Sequence, residues 1–482
     1  MKTPTLPPRL LSPTNVTVVL SFMLSLVARL GSEVNRDGML YIATAQAFLD
    51  GGFTAAKASF AWPFLSIAIA LVAKITGLGL ENAAYLLNAL FMAGTCALIV
   101  ACVSRRSPEI AWPAVLVVLS LPGVNEYRNE LLREFGCWFF IALAWWLALR
   151  WEDRPRWTGA IAVQAALACA ALFRPEALIL YASLIAWQFF GAPRSDRWRR
   201  LAMIALLPLV AGVALLAAYF SGQLGGRLGA DLGRFSLNRF DEKTSALAGS
   251  LIEYARGQAR SILLFGSLAL IPVKLVQKFG ILLLPLAYVA LSGNIKELLC
   301  RHALFAWGIV LHLLVLSIFV LDLQFLAGRY VGLILLLATP FIAAGLHRLI
   351  ERYPRWRLAV FSAAVLLACA NVISTGPGKG HFAEAGKWLA TNAASSRVYI
   401  DSSRTAYHAG WSGASLAERN RREAIRDAID SGEFDLFVLE LSRKDPPWNS
   451  DFWTSSVVVL KRFESRNGDA VIIARPSERT PR

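Results

Sequence analysis

The run VTVVLSFMLSLVARL, Val16–Leu30, followed at once by GSEVNRDG, Gly31–Gly38, decides the fold. An apolar segment whose one charge, Arg29, stands at its end suits hydrocarbon, where a helix satisfies its own backbone. The polar string behind it marks the return to water. No A-x-A-like cleavage site follows and further apolar runs do, so the segment reads as a retained first helix and not as a signal peptide.

The remainder of the chain repeats this pattern. Of 482 residues 56% are hydrophobic and 17% charged, with mean hydropathy +0.50, too apolar for a soluble domain of this length. Eleven spans are expected, at approximately 14–31, 82–104, 109–123, 135–150, 157–173, 175–191, 201–220, 276–293, 303–321, 329–347 and 358–374. With the amino terminus inside, the loops at Arg105-Arg106, Arg150–Arg156, Arg194–Arg200, Lys296–Arg301 and Arg348–Arg357 are cytoplasmic, and each is basic, as the positive-inside rule requires. Counting 61–78 as a span would reverse that agreement, so it is expected to lie in or dip into the outer interface. The fold class is therefore a polytopic all-α membrane bundle, residues 1–374, followed by a soluble α/β domain, residues 375–482.

Six cysteines (Cys96, Cys102, Cys137, Cys169, Cys300, Cys369) fall in or beside apolar runs and imply neither a disulfide framework nor a zinc site. The net charge of +16 resides in the membrane part: residues 375–482 hold 16 Lys and Arg against 14 Asp and Glu, leaving 33 against 19 in the first 374. Cations in loops between spans serve topology and lipid phosphate, and nucleic acid is set aside as a partner.

In the tail, an amphipathic start at His381–Thr391 precedes a strand at Arg397–Asp401, a polar helix at Ser415–Ser431 and a strand at Phe434–Leu441. Val457–Phe463 and Ala470–Ala474, joined by Asn467-Gly468, read as a hairpin.

Function is expected where acids and arginines gather at the outer ends of spans. Asp37, at a helix start in a partly dehydrated interface, can accept a proton, hold a metal, or serve only as a helix cap. The loop Asn125–Glu134 packs Glu126, Glu130 and Glu134, which on a helix would share one face, with Arg128 and Arg133. Arg174-Pro175-Glu176 marks a corner between two spans, an ion pair or a lipid-phosphate contact. Gly328-Arg329-Tyr330 offers a guanidinium for a lipid phosphate or for snorkelling to headgroups. The long Gly-rich loop from Ser221 to about Arg260 adds Arg234, Arg239 and Lys243. His312, alone within a span, is assigned no role.

These strings, in this order and on this side, resemble the GT-C class of integral-membrane glycosyltransferases, specifically the bacterial relatives of protein O-mannosyltransferases and the lipid A aminoarabinose transferase. The resemblance spans nearly the whole chain: Asn35-Arg36-Asp37-Gly38 with Tyr41, Pro63, Gly77, Asn82-Ala83-Ala84, the acidic loop before Phe135, Arg174-Pro175-Glu176, Gly328-Arg329-Tyr330, and Lys387-Trp388-Leu389 with Asn392. It implies transfer of a sugar from a polyprenyl-phosphate donor to a lipid, glycan or protein acceptor at the periplasmic face of the inner membrane. Asp37 matches the first-loop acid, with Glu130 or Glu134 steering acceptor or cation. Arg36, Arg128, Arg174, Glu176, Arg234, Arg239, Lys243, Arg329 and Tyr330 make up the expected substrate-binding set. A divalent cation, Mg or Mn, is compatible with such a site and not demanded by it. The competing class is a transporter or lipid-linked-sugar flippase, which would show repeated halves and ionisable groups near the midplane.

Overall fold

The computed structural model describes residues 12–30, 32–221, 237–293, 295–373, 380–393, 397–411, 421–443 and 457–477. Its first helix, Pro13–Arg29, turns Thr17, Ser21, Ser25 and Ala28 inward, while Val18, Val19, Met23, Leu26 and Val27 face out. The last helix before the tail, Arg357–Val372, likewise exposes Leu358, Phe361, Val365 and Leu366. Small and polar residues inside with large apolar ones outside inverts the soluble pattern. That arrangement is stable when the surrounding solvent is itself hydrocarbon.

Among the described residues four helices, Leu80–Arg106, Glu253–Leu291, Ala303–Leu323 and Pro354–Val372, are long and apolar enough to cross a bilayer. Two bent pairs, Arg197–Leu206 with Pro208–Ala218 and Gly328–Leu337 with Thr339–Arg352, raise that number to six. Pro13–Arg29, Phe64–Thr76, Pro108–Ser120 and Trp157–Phe173 are apolar but shorter. Counting apolar runs had passed over breaks that backbone geometry makes visible. The stretch 175–191 opens with a 3-10 segment, Pro175–Leu180, before its helix, and 329–347 bends by 61° beside Pro340. The stretch 61–78 contains the helix Phe64–Thr76, buried through Leu65, Ile69 and Ala70 and stopped by Gly77 in the left-handed region at φ +73°.

Ion pairs mark the two ends of the bundle. Arg29, at the end of the first helix, pairs with Glu81, at the start of Leu80–Arg106, so these helices run antiparallel. At the opposite end Arg105 pairs with Asp153 and Arg106 with Glu152.

The tail forms a four-stranded sheet of β1 (Val398–Ile400), β2 (Leu436–Leu441), β3 (Val457–Glu464) and β4 (Ala470–Pro476) in the order β1-β2-β4-β3. β1 and β2 are parallel and the other pairs antiparallel. Side chains alternate across β2: Val438 packs with Phe382 and Leu389 of the helix Gly380–Asn392 on one face, Phe437 and Leu439 with Ile425 and Ile429 of Arg421–Ser431 on the other. The β3–β4 hairpin closes through Asn467-Gly468, where Gly468 takes φ +88°. Residues 415–420 of the expected polar helix lie outside the described residues. The tail touches the bundle where the Tyr407 hydroxyl donates to Glu81 at 3.2 Å.

Candidate functional site

The first loop is built around Asn35. Its Oδ1 accepts from the Leu131 amide at 2.9 Å and its Nδ2 donates to the Leu131 carbonyl at 3.3 Å, so one side chain bridges the two loops. Gly38 stands in the same contact, where a Cβ would come within 2.6 Å of Asn35 Oδ1 and 2.9 Å of Leu131 Cβ. Gly38→Ala is therefore expected to force the bridge apart and lower stability by about 1–3 kcal/mol, measured as thermal unfolding in detergent. Asn35, and not Asp37, occupies the N-cap position, which excludes the capping role for Asp37. The Asp37 carboxylate in the first turn accepts instead from Arg329 Nη1 at 2.7 Å.

The second loop is not a continuous helix, the condition under which its three glutamates would share a face. After the single turn Pro122–Asn125 the chain turns through residues 126–131, Leu132 is extended, and a helix restarts at Arg133. Glu126, Glu130 and Glu134 consequently do not share a face. Glu126 pairs with Lys278, the Glu130 carbonyl accepts from Asn88 at 3.5 Å, and Glu134 joins Arg174 and Arg329.

Arg128, expected to bind substrate, is a correction. It is 3% exposed and donates from Nε to Asn125 Oδ1, from Nη1 to the Ser21 carbonyl and to Ser25 Oγ, and from Nη2 to Ser21 Oγ, at 2.7–2.9 Å. The small hydroxyl stripe of the first helix is what admits it. It staples the loop to the bundle and has no face left for a ligand.

At the centre stands a chain of charges. Glu134, nearly buried, accepts from Arg174 Nη1 at 2.7 Å and lies 3.3 Å from Arg329 Nε. Arg174 Nε donates to Glu176 at 2.6 Å. The Tyr330 ring lies against both arginines, 4.9 Å from Arg174 Cζ and 5.5 Å from Arg329 Cζ, and meets Phe319 edge-on at 4.9 Å. The Asp37 and Glu134 carboxylates both face the Arg329 guanidinium. At Arg174, in the corner between two segments, burial lowers the guanidinium's pKa, and Glu176 with Glu134 outweighs it and raises it.

A small, partly open cavity lies beneath this cluster. Glu134, Cys137, Trp138 and Ile141 line it from one helix, and His312, Val315, Leu316 and Phe319 from another. Both sets follow i, i+3, i+4, i+7, the stripe of one helical face. His312 Nε2 donates to the Tyr330 carbonyl at 3.1 Å, fixing the segment that carries Arg329. The spacing of these stripes was legible in the sequence, though nothing there told a cavity wall from packing.

The other expected residues stand apart. Arg36 is exposed. Arg239 and Lys243, on the helix Leu237–Ser250, lie 3.5 and 3.4 Å from Asp322. Arg234 lies outside the described residues. Lys278, which sequence reading passed over as a lysine in an apolar helix, sits against Gly328: a Cβ there would strike Lys278 and the Tyr127 hydroxyl. Among the described residues no group of three His, Cys, Asp or Glu side chains is placed to hold a metal ion. The carboxylates of the cluster are engaged by guanidinium groups, so the donor set as arranged does not fit a divalent cation.

This bundle has the fold of the GT-C glycosyltransferases. The chain is similar to the oligosaccharyltransferase of Archaeoglobus fulgidus, solved with an acceptor peptide containing the NVT sequon tethered by a disulfide bond, at 11% identity and TM-score 0.53 over 89% of this chain and 69% of that one. Two structures of ArnT from Cupriavidus metallidurans also align. The apo form shows 12% identity and TM-score 0.44, covering 95% of this chain and 97% of its own. The form bound to undecaprenyl phosphate shows 14% and 0.43, covering 96% and 97%. Neither a family profile nor a curated protein matches the chain by sequence.

Proposed function

We propose that the chain is a multi-pass membrane glycosyltransferase that moves a sugar from a polyprenyl-phosphate donor to an acceptor at the periplasmic face of the inner membrane. One observation carries this reading: the Asp37–Arg329–Glu134–Arg174 chain lies at one end of a cavity walled by apolar helical stripes. An amphipathic site of that kind suits a lipid whose phosphate meets arginines while its chain enters the bundle. The shared fold with an oligosaccharyltransferase supports the same class. We retain the eleven-span topology, with residues 1–374 as the catalytic part and residues 375–482 as a periplasmic domain held over the site through Tyr407.

In this mechanism Asp37 accepts the proton of the acceptor hydroxyl as its oxygen bonds to the anomeric carbon. The bond from that carbon to the phosphate oxygen breaks on the opposite face, which inverts the centre. The electron pair leaves with the phosphate, and Arg329 and Arg174 turn from their carboxylates to receive it. Glu134 holds both arginines in register, and Tyr330 supports them from the side. Lys278 stands close enough to Gly328 to add a third cation.

The direct test is incubation of purified protein with labelled polyprenyl-phosphate sugar, scored for transfer to an acceptor and, in proteoliposomes, for movement of the donor without transfer. Movement alone would identify a flippase. Arg329→Ala is expected to raise the KM for donor by about ten- to a hundredfold, the equivalent of a charge-assisted hydrogen bond, with a smaller effect on acceptor. Equal effects on both substrates would remove the phosphate from Arg329.

A further inference from the structure

Another partly open cavity lies at the end of the bundle away from Asp37, the end marked by the pairs Arg105–Asp153 and Arg106–Glu152. Three segments meet there: the turn Pro108–Ile110, the short helix Ile295–Arg301 and the helix Thr339–Arg352. Arg301 stands between two carboxylates, with Nη1 3.2 Å from Glu109 and Nη2 2.9 Å from Glu297. The helix Thr339–Arg352 contributes Arg348, whose Nη1 donates to Ser292 Oγ at 2.6 Å. Among the described residues no carboxylate lies within ion-pair distance of Arg348, and its neighbour His347 is spent on Glu351 at 3.1 Å.

Charge in this cavity is incomplete on both sides. One guanidinium against two carboxylates leaves a negative charge over at Glu109 and Glu297, and Arg348 leaves a positive one. Opposite charges that share a cavity gain by meeting, yet these stay apart. A simple anion arriving here would meet the excess carboxylate, and a simple cation would meet Arg348. A ligand that carries both charges satisfies both. The layer behind is polar too: Ser107, on the cavity wall, has its Oγ 3.1 Å from Nε2 of His302, which is 2% exposed and whose Nδ1 has no hydrogen-bond partner. Apolar packing would serve a mere contact between helices, and an unspent buried polar atom is uncommon.

We propose that this cavity binds the headgroup of a phospholipid that joins a phosphate to a primary ammonium, with Arg348 taking the phosphate and Glu109 and Glu297 the ammonium. A primary ammonium brings three N–H donors to the carboxylates, and a trimethylammonium brings none. Ile110 and Leu298 continue the wall in apolar surface, which suits the glycerol end of a lipid. The source is a lipid because the cavity stands at the ends of the apolar helices Leu80–Arg106 and Ala303–Leu323, where hydrocarbon gives way to headgroups. The site is independent of Asp37, Arg329 and the reaction assigned to them.

The test is native mass spectrometry of the purified full chain, released from nanodiscs of phosphatidylethanolamine, phosphatidylcholine and phosphatidylglycerol in equal parts. Phosphatidylethanolamine is expected to be retained over each of the others by about tenfold, the worth of a charge-assisted hydrogen bond. Arg348→Gln should abolish that preference, Arg348→Lys should keep part of it, and Glu297→Gln, at an exposed side chain, should raise retention of phosphatidylglycerol. Arg355→Gln, at an exposed arginine just beyond the same helix, should change nothing. Equal retention of the ethanolamine and choline lipids by the wild type overturns the proposal even if Arg348→Gln does not fold, because the carboxylates then read no ammonium. Loss of the preference in Arg355→Gln also overturns it, since general surface charge would then account for the binding. Soluble phosphoethanolamine separates the two sources: if it displaces the lipid at equal concentration, the occupant is a free ligand and the lipid assignment fails.

Discussion

Asp37→Asn is expected to abolish sugar transfer, a loss of about 10²- to 10⁴-fold if its only lost property is proton acceptance, while the protein inserts and accumulates normally. The substitution is nearly isosteric, and the amide oxygen can still accept from Arg329 Nη1, now 2.7 Å from the carboxylate. Asn35 and Gly38, which set the loop, are untouched. What disappears is basicity, together with one negative charge beside Arg329. The measurement is transfer in isolated membranes, normalised to protein abundance, with Arg36→Ala as the adjacent control at an exposed side chain. A rate near that of the parent protein would remove Asp37 from the chemistry and with it the proposed mechanism.

Arg174→Met should have the largest effect on stability. The side chain is 16% exposed and carries ion pairs to Glu134 and Glu176, of which Glu134 is 7% exposed. Methionine fills much of the volume but strips Glu176 of its guanidinium and leaves the buried Glu134 with Arg329 alone. Breaking a buried pair from one side costs about 3–5 kcal/mol, and the share kept by Arg329 and the partial exposure of Glu176 place this variant toward the lower end of that range. The check is thermal unfolding in detergent, compared with a triple variant Arg174→Met, Glu134→Gln, Glu176→Gln, which should recover part of the loss by removing the stranded charges. If the single variant is as stable as the parent, the ion pairs are not holding the corner between the helices Trp157–Phe173 and Tyr181–Gly191.

The tail hairpin lay open to a sequence reading because an Asn-Gly turn between two apolar runs is a local signal. β2 and β4 formed within the apolar runs at Phe434–Leu441 and Ala470–Ala474. The second loop could not be decided the same way. Spacing of four places Glu126, Glu130 and Glu134 on one face only if the helix is continuous, and the extended Leu132 breaks it. Arg128 was misread because a loop arginine between apolar spans looks available until the Ser21 and Ser25 hydroxyls are brought beneath it.

The run Val16–Leu30 and the polar string after it predicted, by hydropathy alone, an apolar helix with Asp37 just beyond its end, and the helix Pro13–Arg29 formed there; that inference needs no partner, since it is local. Which residues meet Asp37 was another matter. Arg329 is 292 positions away, and Glu134 and Arg174 reach the same point from two other segments of the chain. Only tertiary packing decided that Asp37, Glu134 and Arg329 form one cluster while Glu126, Arg128 and Arg239 face elsewhere. Pairing of charges depends on distances of a few ångströms between helices, and no period along the chain encodes those.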